Sequence, residues 1–158
     1  MMPKPTFFNL PVEKRQAIEW EAILEFANNP YEQASLSKIV GKCGIAKGSM
    51  YQYFADKLDL YLYIVKLAYE EKRKYVQHAF AISGDIFQVL EAYYRQSLVF
   101  SQEHPELHRV TNNFWESRAQ HLDETLVEVR GSRASDFERF LKEAIASGVV
   151  NPNLDPEA

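Results

Sequence analysis

The sequence predicts an all-α protein. Of its 158 residues, 46% are apolar and 13% aromatic, whereas only six are glycine, a composition that favours long packed helices over a turn-rich sheet architecture. Apolar side chains also recur at helical spacing in segments that proline, glycine or asparagine separate. We therefore expect a small N-terminal helical domain, joined by one long helix to a second helical domain.

The first predicted helix runs from Val12 to Asn28, where the apolar residues share one side. It stops before Pro30, because a residue that precedes proline disfavours the helical backbone. Ser35 then provides an N-cap for a short second helix, which ends at Gly44.

A third helix of about two turns is predicted from Ala46 to Phe54. A long fourth helix follows at once over residues 57–80, with Asp56 as its cap. Two short helices joined by a tight turn and braced by another helix form a helix-turn-helix, whose second helix enters the major groove of DNA. The predicted domains are 1–56 for DNA binding and 57–158 for the second helical domain, linked by helix 57–80.

The second half contains four further predicted helices, at about 85–103, 105–112, 114–130 and 133–147. Apolar residues cover more than half of the circumference of the first of them, including Phe87, Tyr94 and Leu98. We therefore expect neighbours to enclose this helix on more than one side.

Charge is distributed unevenly in this acidic protein, whose net charge is −4. Residues 1–80 carry 11 Lys and Arg against 9 Asp and Glu, whereas residues 81–158 carry 7 against 13. Between Glu32 and Asp56 lie three lysines and no acidic residue. Any surface that faces phosphate is therefore expected in this stretch.

Neither a signal peptide nor a membrane span is predicted. The N-terminal stretch MMPKPTFFNLPVEKR has prolines and charges where a signal peptide needs an apolar run, and no apolar run approaches the ~20 residues of a membrane helix. The single cysteine, Cys43, excludes an intramolecular disulfide. We expect a cytoplasmic protein with no membrane partner.

Catalytic motifs are missing, since the sequence has no Gly-rich phosphate loop, HExxH, GxSxG or Glu-x-x-His pair. His104 and His108 are spaced to share a metal ion, but Pro105 between them favours two surface histidines. Cys43 beside Lys42 could be a reactive thiol, although its phase in the helix favours a core position. We expect no enzyme, no metal site and no cofactor.

The third predicted helix carries side chains suited to nucleic acid. Gly48 lets the backbone approach a phosphate or a base edge closely. Hydrogen-bond donors surround it on Lys47, Ser49, Tyr51, Gln52 and Tyr53. Each residue alone has an ordinary explanation, since exposed lysines are solvated and tyrosines pack. Their combination with a capped helix and a glycine turn favours DNA binding, with Gln52 as the best reader of adenine.

Residues 22–60, AILEFANNPYEQASLSKIVGKCGIAKGSMYQYFADKLDL, resemble the DNA-binding domain of the TetR family of bacterial transcriptional regulators. That family's pattern has a capping Thr or Ser, an Ile-Ala-like pair, Gly-Val-Ser, Gly-Thr-Leu-Tyr, a Tyr-Phe pair and a Lys that opens the fourth helix. The matching positions are Ser35, Ile39-Val40, Gly44-Ile45-Ala46, Gly48-Ser49-Met50-Tyr51, Tyr53-Phe54 and Lys57.

This resemblance implies a role for each matching residue. Ser35 and Tyr51 would bind phosphates, and Lys57 would do so with help from the helix dipole. The residues in or beside the major groove would be Lys47, Gly48, Ser49, Gln52 and Tyr53. The family often has Ser or Thr at the position of Ala46, where alanine is a weak N-cap that costs about 1 kcal/mol.

The resemblance also implies that the second domain binds a small effector and forms a homodimer. Aromatic residues of the second half could line an apolar pocket, and we select Tyr94, Phe114 and Trp115, which would otherwise be ordinary core residues. The final stretch SGVVNPNLDPEA resembles one that precedes further dimer-forming helices in the family. We expect a chain truncated at its C-terminal end; the alternative is dimerisation through the helices present.

The sequence thus predicts a ligand-responsive transcriptional regulator. We expect a repressor that binds a palindromic double-stranded DNA operator as a homodimer and is released by a small-molecule effector. The alternative is a helical protein-interaction adaptor without DNA binding, which would leave Lys47, Gly48 and Tyr51 without a shared purpose.

Overall fold

The computed structural model describes residues 3–81, 85–116, 140–151 and 153, and every regular element in these ranges is helical. The elements are α1 (Pro5–Phe8), α2 (Val12–Asn28), α3 (Leu36–Lys42), α4 (Lys47–Tyr53), α5 (Lys57–Val76), a 3-10 helix (Gln77–Ala81), α6 (Ile86–Glu103) and α7 (Pro105–Glu116). Residues 140–146 are helical as well. The predicted all-α fold is confirmed. Among the described helices, none combines the length and apolar character that crossing a membrane requires.

The two short helices lie where the sequence places them. Ser35 is the N-cap of α3, and its side chain accepts a hydrogen bond from the Lys38 amide at 3.4 Å. Gly44 follows with φ of +63°, a left-handed conformation that glycine adopts without the steric cost of a Cβ. This residue turns the chain from α3 towards α4, as the glycine in the pattern predicts.

Two aspartates form hydrogen bonds at the N-terminus of α5. Asp56 accepts from the Asp59 amide at 2.8 Å, and Asp59 reaches back to the Ala55 amide at 3.0 Å. These reciprocal bonds satisfy amides that a helix N-terminus otherwise leaves open. The predicted cap at Asp56 is confirmed, and buried Asp59 binds the chain before the helix through one of its carboxylate oxygens.

One predicted break is wrong. One helix is predicted to end at residue 112 and another to begin at 114, whereas α7 runs without interruption from Pro105 to Glu116. Buried residues keep helical spacing through the expected break, at Leu107, Val110, Thr111 and Phe114. Most of the helices predicted over 114–130 and 133–147 lie outside the described residues.

The chain divides into two compact units, residues 1–70 with 104–117 and residues 71–103 with 118–158. α7 belongs to the first unit because it packs on α2. Asn113 strengthens this packing, since its side-chain amide donates to the carbonyls of Phe26 at 2.9 Å and Ala27 at 3.2 Å. The predicted functional border at residue 56 stays a prediction.

Aromatic side chains fill the first unit in two groups. Near the N-terminus, the fully buried ring of Phe7 lies 4.9 Å from Phe54, centroid to centroid. Deeper in the unit, Tyr61 of α5 lies 4.9 Å from Phe26 of α2 and 6.0 Å from Phe114 of α7. These contacts join the three longest helical segments of the unit.

In the second unit, Ile86, Leu141 and Ala144 form an apolar cluster, against which partly buried Leu90 and Phe140 pack. The described part of the unit leaves more of α6 exposed than the sequence predicts. Its large apolar residues Phe87, Tyr94 and Leu98 are exposed in the structure, so the apolar residues of α6 extend beyond the side that packs.

Candidate nucleic-acid interface

The short helix α4 has one anchored side and one open side. Met50 and Phe54 are each 1% exposed and hold the helix to the first unit. The opposite side is formed by the exposed residues Lys47, Gly48, Tyr51 and Gln52. Their spacing of i, i+1, i+4 and i+5 places them together on about half of the circumference. We call these four residues the open face.

Lys47 supplies the positive charge of the open face. Of the three lysines between Glu32 and Asp56, Lys42 pairs with Glu21 of α2 at 3.2 Å, and Lys38 lies 4.0 Å from Glu25. Lys47 forms no ion pair with any residue that the structure describes. Its charge is therefore available to a phosphate, whereas the charges of Lys38 and Lys42 are partly compensated.

Tyr51 and Gln52 complete the open face with hydrogen-bonding groups. The Tyr51 side chain is 46% exposed and Gln52 is exposed beside Gly48. The structure therefore brings together four of the residues predicted to lie at DNA. Ser49, also predicted there, is partly buried at the edge of this face.

Ser35, the predicted phosphate ligand at the start of α3, is partly buried and tightly held. Its backbone amide donates to the carboxylate of Glu25 at 2.9 Å. Glu25 itself is only 8% exposed, and a buried carboxylate needs such a hydrogen-bond donor. Sequence reasoning missed Glu25; its position among the apolar residues of α2 is the signal that could have identified it.

The position of the Tyr53 side chain differs from the predicted one. Its side chain is 7% exposed and its ring lies 6.2 Å from that of Phe7. Three residues after Met50, it falls on the anchored side of α4. The ring is thus a packing element, and its burial argues against the predicted contact with the major groove.

Lys57 also differs from its predicted role. Its ammonium donates to the carbonyls of Tyr31 at 2.6 Å, Ala34 at 3.0 Å and Glu32 at 3.3 Å. The same nitrogen lies 4.4 Å from the centre of the Tyr31 ring. In the structure Lys57 faces the loop between α2 and α3, and this arrangement argues against the predicted phosphate contact.

The N-terminus of α4 lacks a side-chain cap, as the sequence predicts. Ala46 is the N-cap residue and makes no side-chain hydrogen bond; its carbonyl accepts from the Ser49 amide at 2.9 Å. Alanine has no polar group with which to bind the first amides of the helix.

The C-terminus of α4 is capped by a segment that the sequence analysis overlooked. Lys4 donates its amide to the Tyr53 carbonyl at 2.8 Å and its ammonium to the Tyr51 carbonyl at 2.7 Å. The Thr6 hydroxyl donates to the Gln52 carbonyl. We call residues 3–8 the N-terminal clamp, because they bind the carbonyls that the last turn of a helix leaves open. Pro5 at the first position of α1 is the sequence signal for this element.

The three residues selected for a ligand pocket differ in their surroundings. Phe114 is 1% exposed and packs on Tyr61 and Tyr69 in the core of the first unit. Trp115, the next residue on α7, is 62% exposed, and Tyr94 of the second unit is 64% exposed. Aromatic character alone does not distinguish core, surface and pocket positions, and a role of these residues in ligand binding stays a prediction.

The histidines and the cysteine considered as reactive groups have other surroundings in the structure. Within the described ranges, no cluster of three or more His, Cys, Asp or Glu side chains is placed to bind one. The ring of His108 lies 3.2 Å from the Asn112 amide. Cys43 is partly buried, and burial, followed by the charge of Glu21, raises the pKa of its thiol despite neighbouring Lys42. The raised pKa disfavours the reactive thiolate.

Comparison with known proteins agrees with this arrangement. Residues 21–64 match the model of the bacterial regulatory proteins of the tetR family. No curated protein matches the chain in sequence. A TetR family transcriptional regulator from Chloroflexus aurantiacus J-10-FL is 34% identical and superposes with a TM-score of 0.77, over 99% of this chain and 72% of that one.

Two more distant structures share the fold. The fatty acid degradation regulator FadR from Bacillus halodurans is 21% identical with a TM-score of 0.69. The transcriptional regulator FadR from Bacillus subtilis, solved in complex with stearoyl-CoA, is 22% identical with a TM-score of 0.68. Each comparison covers 90% of this chain and 76% of the other. From its helical fold, its matched N-terminal segment and its similarity to the Chloroflexus regulator, the chain belongs to the tetR family of bacterial regulatory proteins.

Proposed function

We propose that this transcriptional regulator is a repressor, which binds a palindromic operator as a homodimer and leaves it when a small effector binds. The open face of α4 is the observation that carries the DNA-binding part. It combines a lysine that forms no ion pair with the described residues, a glycine without a side chain, a tyrosine hydroxyl and a glutamine amide on one exposed side. Buried Met50 and Phe54 hold that side outward.

Each group has a distinct task at the DNA. Lys47 and the Tyr51 hydroxyl bind phosphate oxygens and fix the register of the helix. Gly48 allows the backbone to come close to the groove wall. Gln52 reads an adenine through two hydrogen bonds. Ser35 adds a phosphate contact at the start of α3 by donating its hydroxyl hydrogen, while its oxygen accepts from the Lys38 amide as the helix cap.

The DNA-binding proposal predicts a change in salt dependence. Lys47→Ala should lower the slope of log K against log salt by about one, since one phosphate contact and its released counterion are lost. Tyr51→Phe should weaken binding about tenfold, the effect of one lost hydrogen bond, at an unchanged slope. Fluorescence anisotropy at several salt concentrations would measure both, on a duplex that the wild-type protein selects from a random-sequence library.

Lys66→Ala is the matched control. Lys66 is an exposed lysine of α5, about 13 Å along the helix from its first residue, at 1.5 Å per residue. This variant should retain the wild-type slope. Salt-independent binding that ignores both Lys47→Ala and Tyr51→Phe would favour the protein-interaction adaptor instead.

A homodimer follows from the geometry of palindromic DNA. One α4 covers one half-site, and a twofold-related copy would reach a second half-site about 34 Å away, one turn of the double helix. Two chains per duplex in sedimentation analysis would support this arrangement. One chain per duplex at saturation would refute it.

An amphipathic acyl thioester is the first effector class to test. The support is a likeness of fold to the FadR structure from Bacillus subtilis, which was solved with stearoyl-CoA. An effector releases DNA only if it binds the DNA-free protein more tightly, and the coupling between two bound ligands is reciprocal.

If stearoyl-CoA is an effector, it should weaken binding to the selected duplex by about 5-fold to 150-fold, the usual range of allosteric coupling. The duplex should then weaken stearoyl-CoA binding by the same factor. Titration calorimetry of each ligand with and without the other measures both effects, with coenzyme A as the control without an acyl chain. Equal affinity of stearoyl-CoA for the free and DNA-bound protein would reject this effector.

A further inference from the structure

The loop between α2 and α3, residues 29–35, is bound to α5 through a single side chain. The Lys57 ammonium accepts no hydrogen bond and has three N–H donors. Each has a carbonyl within reach, on Tyr31, Glu32 and Ala34. Lys57 therefore gathers three loop carbonyls around one positive charge.

The aromatic ring of Tyr31 covers a further side of this charge. It lies 4.4 Å from the nitrogen of Lys57, within the range of a cation–π contact. The same ring also packs against Tyr61, whose centroid is 4.9 Å away. The ammonium is thus surrounded by groups of the protein itself, which leaves it without a donor for a phosphate.

The far end of the loop is Ser35, the N-cap of α3. Glu25 binds its amide at 2.9 Å, and Lys57 binds the carbonyl of the preceding residue, Ala34, at 3.0 Å. Two charged side chains, one from α2 and one from α5, therefore fix the residue whose hydroxyl is proposed to meet DNA. Ala34, the residue before Ser35, is buried.

We propose that Lys57 is a positioning residue for DNA binding, which sets Ser35 and the start of α3 by holding the 29–35 loop and does not itself bind phosphate. This inference rests on the proposed DNA-binding function. It assigns the partly buried lysine that opens α5 to the 29–35 loop, and it leaves Lys47 as the lysine that meets the phosphate backbone.

Lys57→Met and Lys47→Met form a matched pair, because the same chemical change is made at a loop-bound and at an open lysine. Lys57→Met should weaken binding to the selected duplex about tenfold at every salt concentration and leave the salt slope unchanged. It should also accelerate hydrogen exchange at the Ser35 amide about tenfold. Lys47→Met should lower the salt slope by about one without changing exchange at Ser35.

Lys57→Arg provides a second test that keeps the charge. A phosphate ligand tolerates arginine, whose guanidinium binds phosphate well. A planar guanidinium cannot replace a compact ammonium among three converging carbonyls. We therefore expect Lys57→Arg to weaken DNA binding about as much as Lys57→Met does.

A lower salt slope in Lys57→Met with unchanged exchange at Ser35, or full binding by Lys57→Arg, would overturn the proposal and make Lys57 a phosphate ligand. The hydrogen-exchange arm needs no DNA. If the wild-type protein showed no salt-dependent DNA binding, the proposed function would fall, whereas exchange at Ser35 would still show whether Lys57 holds the loop.

Discussion

Replacing Phe7 by alanine should lower the free energy of unfolding by about 3 to 5 kcal/mol, the cost of removing a fully buried aromatic ring and leaving a cavity. The Phe7 ring is 0% exposed and contacts Phe54 at 4.9 Å, Tyr63 at 5.5 Å and Tyr53 at 6.2 Å. It joins α1 to α4 and α5. Chemical denaturation followed by circular dichroism would measure the change.

Phe8→Ala is the control for this prediction. Phe8 is the adjacent residue on α1 and has an edge contact with Tyr63 at 6.5 Å, yet 45% of it is exposed. Its replacement should cost about 1 kcal/mol, since much of the ring is already in water. Equal losses in the two variants would mean that α1 is not anchored through Phe7.

The loss of the Phe7 ring should also destabilise the last turn of α4. Phe7 anchors the N-terminal clamp, whose Lys4 and Thr6 bind the last carbonyls of α4. When the ring is removed, these carbonyls lose their partners more often and the last turn of α4 frays. We expect Phe7→Ala to weaken operator binding at temperatures where the protein remains folded, and Phe8→Ala to leave it unchanged.

The short helices were predictable because local chemistry determines them. Ser35 offers a cap, Gly44 permits a left-handed turn, and the spacing of Met50 and Phe54 identifies the anchored side of α4. The clamp was not predictable in the same way. Lys4 meets Tyr51 across 47 residues of chain, and no local pattern shows which distant carbonyls a terminal segment will bind.

Side-chain direction explains why Tyr53 and Lys57 differ from their predicted arrangement at the candidate site. A motif gives the position of a residue, whereas its partners depend on what packs nearby. Tyr53 points towards Phe7, and Lys57 points towards the 29–35 loop, although both residues match the family pattern. Lys47 forms no ion pair with an acidic residue in the described part of the chain. For this residue, its position in the motif was enough to predict an exposed charge.

Two tyrosines of α5 should respond in opposite ways to the loss of their hydroxyl groups. The Tyr61 hydroxyl is buried and has no hydrogen-bond partner among the described residues. The Tyr63 hydroxyl donates to the Glu19 carboxylate at 2.5 Å. Tyr61→Phe should therefore raise the free energy of unfolding by about 1 to 2 kcal/mol, because it removes an unsatisfied polar group. Tyr63→Phe should lower it by about 1 kcal/mol, because it removes a bond to a charged group.

The stability of the protein at alkaline pH provides a second test of Tyr61 and Tyr63. Burial raises the pKa of Tyr61, and burial together with the bond to Glu19 raises that of Tyr63. Above pH of about 10, the ordinary tyrosine pKa, the unfolded chain loses these protons while the folded protein keeps them. Stability is therefore complete below that pH and falls as pH rises above it.

Tyr61→Phe should make this alkaline loss shallower, by up to about 1.4 kcal/mol per pH unit, the contribution of one group that ionises only in the unfolded state. Denaturation at several pH values between neutral and strongly alkaline conditions would measure it. A loss of stability in Tyr61→Phe at neutral pH would show that the hydroxyl has a partner in solution. An unchanged alkaline slope would show that the Tyr61 proton is lost as readily in the folded protein as in the unfolded chain, which its burial between Phe26 and Phe114 opposes.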